Sequence, residues 1–179
     1  HLNLSENKID GELSESISRL LNLEYLNLWD NNMTGLIPRD IGELKKLEFL
    51  SLGSNNFSGI IPTELGHAVS LRSVALFENS FTGTIPENLS ALKNLEYLSL
   101  FDNELVGAIP NGLMRVLDLS YFKINNNQLD TISHESMCES GYDWSNSIYF
   151  DVSQNKFKEP PICFPTDEMR EIQSSFLKK

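Results

Sequence analysis

The sequence is short of cysteine and of positive charge, and it lacks any long apolar run; each shortage narrows what the chain can be. Two cysteines occur among 179 residues, Cys138 and Cys163. An oxidising compartment would let them pair across about 25 residues, but two are too few to establish secretion. Fourteen basic residues face twenty-five acidic ones, a formal net charge of -11. Such a balance repels nucleic-acid phosphate and anionic lipid, so neither is an expected partner, and a basic protein or peptide is favoured electrostatically. No apolar run reaches the roughly 18 residues that a membrane span needs, which predicts no direct membrane insertion by this segment. The stretch from His1 has neither the charged nor the apolar region of a secretory signal, so any targeting signal is expected elsewhere.

Catalytic chemistry is equally thin. His1, His67 and His134 lie far apart, and no nucleophile stands beside a base at a recognisable spacing. His134-Glu135-x-x-Cys138 has the outline of a zinc motif, but cysteine replaces the second histidine in polar, non-helical surroundings. The expectation is no catalytic residue, no metal and no cofactor: a chain that is not an enzyme.

What the sequence does contain is a repeat. With 40 % hydrophobic residues the chain can bury a core. Asparagine recurs in the frame Leu-x-Leu-x-x-Asn at Asn7, Asn31, Asn55, Asn79, Asn103, Asn127 and Asn155. The first five intervals are 24 residues and the last is 28. Gly11, Gly35, Gly59, Gly83 and Gly107 keep step, as do the Ile-Pro pairs ending in Pro38, Pro62, Pro86 and Pro110. Leucines such as Leu23, Leu26 and Leu28 alternate along a short strand and point into a coil. The asparagine amide ends that strand, where it can serve backbone donors and acceptors inside the bend. Glycine allows the turn, and proline pre-sets the return path.

One stretch offers two registers. Val116 to Ser120 also reads as a strand, but that frame puts Phe122 at the ladder position, where a ring cannot form the amide's bonds. Starting the sixth repeat at Leu119 instead sends Phe122 and Ile124 inward and keeps Asn127 in the ladder. The four extra residues then fall between Ser133 and Ser147, a polar stretch that reads as an irregular loop.

Leu95-x-x-Leu98-x-Leu100-x-x-Asn103-x-Leu105-x-Gly107-x-Ile109-Pro110 resembles the plant-type leucine-rich repeat of receptor kinases, receptor-like proteins and polygalacturonase inhibitors, and the resemblance extends from Leu2 to about Phe157. It implies an α/β solenoid: a right-handed superhelix of about seven coils, with a concave parallel β-sheet and a second short sheet near the Gly-x-Ile-Pro segment. It also implies an extracellular or secreted location, with membrane tethering through parts outside this chain. The expected organisation is leucine-rich repeats over 1–158 and a C-terminal cap over 159–179. In that cap, Thr166 to Lys179 reads as an amphipathic helix after Pro160 and Pro161. No comparable cap precedes the first coil, so the N-terminal coil is expected to continue into more chain or to pack on a subunit. Cys138 and Cys163 are expected to form a structural disulfide at the C-terminal end, two free buried thiols being the alternative.

Residues between the leucines should face outward on the concave sheet. Aligned coils give one column of Tyr25, Phe49, Ser73, Tyr97, Tyr121 and Tyr149, and another of Trp29, Gly53, Phe77, Phe101 and Asn125. Beside them runs the row Asp30, Ser54, Glu78, Asp102 and Asn126. Candidate partner-binding residues are therefore Tyr25, Trp29, Asp30, Phe49, Phe77, Glu78, Tyr97, Phe101, Asp102 and Tyr121. Aromatic anchors beside carboxylates suit a basic or aromatic-bearing peptide or protein. The competing reading is a ladder of rings that only stabilises the sheet. Asn3, Asn32, Asn56 and Asn88 head glycosylation sequons, although Asn and Ser belong to the repeat itself. The resemblance favours a ligand-binding ectodomain fragment; the alternatives are a secreted inhibitor of a wall-degrading enzyme and a structural subunit.

Overall fold

The computed structural model describes residues 1–116, 118–133, 138, 140 and 148–157. Among them, seven short strands form one parallel sheet in chain order: Leu2–Asn3, Tyr25–Asn27, Phe49–Ser51, Ser73–Ala75, Tyr97–Ser99, Tyr121–Lys123 and Phe150–Asp151. Each strand lies beside the one a coil later, so the chain is a solenoid of stacked leucine-rich repeats. Leu26 pairs with Leu50, Leu50 with Val74, Val74 with Leu98, and Leu98 with Phe122. Phe122 then pairs with Phe150, which carries the longer sixth repeat. The frame starting at Leu119 is thus the one adopted. Phe122 and Ile124 are fully buried there because the alternation of the strand turns them inward with the leucines.

The return path has two parts. Strands Asp10–Glu12, Asn32–Gly35, Asn56–Ile60 and Ser80–Thr82 form a lateral sheet, and Val106–Ala108 pairs separately with Gln128–Thr131. Glycine is required in this sheet on two counts. Gly59 has φ of +72°, and a Cβ there would come within 2.4 Å of Leu36 Cδ2 on the preceding coil. Thr131 stands where the period calls for the next glycine, and the pairing shifts register between Gly107 and Ala108. A β-branched residue does not take up the left-handed backbone, so the two strands meet with an irregularity instead.

Beyond each Ile-Pro pair the chain makes a single 3-10 turn, at Arg39–Glu43, Thr63–His67 and Glu87–Ala91, with related turns at Glu15–Arg19 and Leu113–Arg115. Pro38, Pro62 and Pro86 immediately precede the first three, holding φ between -64° and -67°. The turns stack closely: a Cβ on Gly42 would lie 2.2 Å from the Glu64 carbonyl oxygen, and one on Gly66 2.3 Å from that of Asn88. Between sheets and turns runs one apolar core, from Leu23 to Val152, with Phe57, Phe81 and Phe122 its largest fully buried side chains.

At the first coil Leu4, Leu20 and Leu21 are exposed, while Leu2, Ile9, Leu13 and Ile17 are partly buried against the core. At the other end Cys163, the segment 166–179 and most of 133–147 lie outside the described residues. The disulfide and the cap helix therefore have no structural description here.

Candidate functional site on the outer face of the main sheet

The outer face is positioned from behind by the asparagines. Asn55 is typical: its Nδ2 donates to the carbonyls of Leu28, Leu52 and Gly53 at 2.9, 3.2 and 3.0 Å, and its Oδ1 accepts from Met33 N at 3.0 Å. Two of those partners lie on the preceding coil, so each amide ties neighbouring coils together. Asn31, Asn79, Asn103, Asn127 and Asn155 repeat the pattern. Asn7, on the first coil, donates only locally, to the carbonyls of Leu4 and Ser5. This is a satisfied backbone network of the kind that buried turns require.

One residue earlier the chain does something different. Glu6, Asp30, Ser54, Glu78, Asp102, Asn126 and Gln154 all have φ between +50° and +55°. Asn and Asp tolerate that left-handed conformation better than other non-glycine residues, so backbone geometry accounts for part of the polar row. The row also bonds across coils. Trp29 Nε1 donates to Ser54 Oγ at 3.2 Å, Ser54 Oγ donates to Glu78 Oε2 at 2.6 Å, and Asn126 Nδ2 donates to Asp102 Oδ1.

The ring columns stack in pairs. Tyr25 lies 4.3 Å from Phe49, Tyr97 4.1 Å from Tyr121, and Phe77 4.8 Å from Phe101, all within 10° of parallel. The first two spacings are shorter than the roughly 4.8 Å between strands, so the side chains of that column converge, as on a concave surface. Every one of these rings is half-buried. Their cover falls on a third outward column: Ser51 and Ala75 are each 5 % exposed and Ser99 is 0 %, although all three point to the outer side. Small residues at alternate positions between two aromatic columns were the available signal. The Ser99 hydroxyl and the Asn125 Oδ1 are buried there without a hydrogen-bond partner.

Ring columns and small residues thus form a surface layer, and it is only partly free for contact. Phe77 folds back over the second column: a Cβ on Gly53 would meet its ring at 2.7 Å. Tyr121 has its hydroxyl pushed above the ordinary tyrosine range, first by burial, then by the hydrogen bond with Tyr97 and by the charge of Asp151. Lys123 lies over the Tyr121 ring at 5.4 Å. At the strand starts the acidic column Glu24, Glu48 and Glu96 is interrupted by Arg72, whose guanidinium pairs with Glu96. The ten candidate contact residues therefore share one face, in two aromatic columns and one polar row. Asn3, Asn32, Asn56 and Asn88 are all exposed. Among the described residues no group of three or more His, Cys, Asp or Glu could hold a metal ion, and no helix is long and apolar enough to cross a membrane.

Comparison with known proteins places this architecture. Models of the leucine-rich repeat match residues 1–57 and 94–116. No curated protein matches the sequence. Among solved structures, the ectodomain of the receptor kinase SOBIR1 from Arabidopsis thaliana is 33 % identical, with a TM-score of 0.68 over 70 % of this chain and 68 % of that one. The ectodomain of the plant membrane receptor kinase GASSHO1/SCHENGEN3 from Arabidopsis thaliana, solved in complex with CASPARIAN STRIP INTEGRITY FACTOR 2, is 44 % identical. It matches with a TM-score of 0.70 over 71 % of this chain and 15 % of its own length. The plant peptide hormone receptor RGFR1, solved in complex with RGF2, is 26 % identical, with a TM-score of 0.79 over 87 % of this chain and 24 % of its own length. The chain thus spans a quarter or less of those two receptors. Repeat frame, lateral glycine sheet and these likenesses agree: the chain belongs to the plant-type leucine-rich-repeat proteins, the family of the receptor-kinase ectodomains.

Proposed function

We propose that this chain is a protein- or peptide-binding section of an extracellular receptor or receptor-like ectodomain, and that it binds through the outer face of its main sheet. The observation that carries the proposal is the pair of half-buried aromatic columns, Tyr25 to Tyr121 and Trp29 to Phe101, beside the carboxylates of Asp30, Glu78 and Asp102. Rings already packed on one side need little further ordering, so they offer contact area at low entropic cost. Seven strands at about 4.8 Å give a stripe of roughly 30 Å, the length of an extended peptide of about nine residues. The net charge of -11 favours a basic one. GASSHO1/SCHENGEN3 and RGFR1, both solved with their peptide partners, support the reading by family likeness. The Cys138–Cys163 bridge and carbohydrate on the four sequons belong to the same extracellular proposal.

The test is a panel of nine-residue peptides, basic and acidic, titrated against the whole chain and against a Trp29→Ala, Phe77→Ala, Phe101→Ala variant. Basic peptides should bind the parent chain and lose at least tenfold in affinity with the variant, whose circular dichroism should be unchanged. Equal affinity for both proteins would reject this surface.

A further inference from the structure

The first aromatic column has one missing member. Tyr25 stacks on Phe49 and Tyr97 stacks on Tyr121, but the strand between the two pairs carries Ser73. Phe49, Ser73 and Tyr97 are in register on adjacent parallel strands, so two strand spacings, on the order of 9 Å, separate the flanking rings. An aromatic ring is about 3.5 Å thick. The gap therefore holds one ring, at roughly the 4–5 Å from each neighbour that the existing pairs already show.

The second column has a gap too, at Gly53, and the contrast is instructive. There Phe77 leans over the glycine and leaves it buried. Ser73 stays half-exposed, and among the described residues no ring contact joins Phe49 to Tyr97. Ser73 itself forms the floor of the gap, and Ala75, 5 % exposed and already covered, lies beside it two residues along the same strand. Around it the charge is mostly negative: Glu48 stands at the entry of the strand before Ser73, Glu78 lies further along its own coil, and Arg72 is already paired with Glu96.

We propose that the gap at Ser73 receives a single aromatic side chain of a cationic peptide ligand, sandwiched between Phe49 and Tyr97. The inference rests on the outer-face binding proposed above and adds the chemistry of its central subsite. The ring completes a stack of five, and flanking Lys or Arg residues meet the acidic rims. Because each wall is the free face of a stacked pair and the walls stand about two strand spacings apart, the site selects a flat ring over a branched aliphatic side chain, which would fill the gap poorly against both faces.

The experiment uses two labelled nonapeptides, Lys-Ser-Lys-Ser-Trp-Ser-Lys-Ser-Lys and its counterpart with alanine at the centre, titrated by fluorescence anisotropy at low salt. The tryptophan peptide should bind the parent chain about tenfold more tightly. Ser73→Phe, which fills the gap with the protein's own ring, should abolish that preference, leave the weaker salt-sensitive binding common to both peptides, and unfold at the same or a higher temperature. Phe49→Ala, which removes one wall, should also reduce the preference, whereas Ser73→Ala should keep it. A tryptophan preference that survives both Ser73→Phe and Phe49→Ala would overturn the subsite while leaving outer-face binding intact. Absence of binding by either peptide to the parent chain would overturn both.

Discussion

Asn55 and Ser54 are neighbours in sequence, polar and recurrent by position, yet they live under different constraints. The ladder position is asparagine at every turn, and from the second coil on its amide serves the same backbone groups, two of them belonging to the coil before. The position before it varies through Glu, Asp, Ser, Asn and Gln, because its constraint is a backbone dihedral near +50° and an outlook toward solvent. The comparison teaches how to read a repeat protein. An invariant repeat position reports an unpaired backbone group that only one side chain can satisfy, whereas a variable outward position is where function has room.

The sharpest way to break the contrast is Asn55→Leu. It strands four hydrogen-bonding contacts in the bend, at about 1–3 kcal/mol for each backbone group left unpaired, so a loss of at least about 3 kcal/mol is expected from denaturant unfolding. The same change at Asn7, where only two local bonds exist, should cost under about 1 kcal/mol. Equal losses at both sites would show that the inter-coil bonds carry no weight.

Tyr121 sharpens the comparison from the outer side. Burial, the Tyr97 hydroxyl and Asp151 all raise its proton affinity above the ordinary tyrosine value of about 10. A group whose proton is held more tightly in the folded state adds stability that is fully present below pH ~10 and is lost as pH climbs through its folded value. Tyr121→Phe should therefore flatten the alkaline loss of melting temperature, with no change near neutrality. A parent chain whose melting temperature does not fall in alkali would contradict this.

The smallest effect is expected at the polar row. Glu78→Asn puts a residue better suited to positive φ at that position, but it gives up the carboxylate that accepts from Ser54. Thermal unfolding should move by no more than about 0.5 kcal/mol; a large loss would mean that the row is structural, like the ladder.

Much of this was legible in the sequence because the repeat multiplies each signal. The 24-residue spacing of asparagine, glycine and Ile-Pro fixed the coil, and the chemistry of one amide against one ring was enough to choose between two frames at Phe122. Thr131 marks where legibility falters: the absent glycine was visible, but the register shift it produces depends on how Val106–Ala108 lies alongside. Gly42 and Gly66 carried no signature, since what makes them tight is the carbonyl of the following turn, 22 residues away in sequence. On the outer face the columns could be counted, but not which rings pair, nor that Ser51, Ala75 and Ser99 lie covered between them.

The sequence by itself determined the period, the inward leucines and the ladder, because alternation and hydrogen-bonding need are local properties that recur every coil. Only the tertiary structure decided which outward residues are covered and which are open. Ring packing depends on the residue one coil away, so Gly53 becomes a seat for Phe77 while Ser73, in the other aromatic column, stays half-exposed between two stacks.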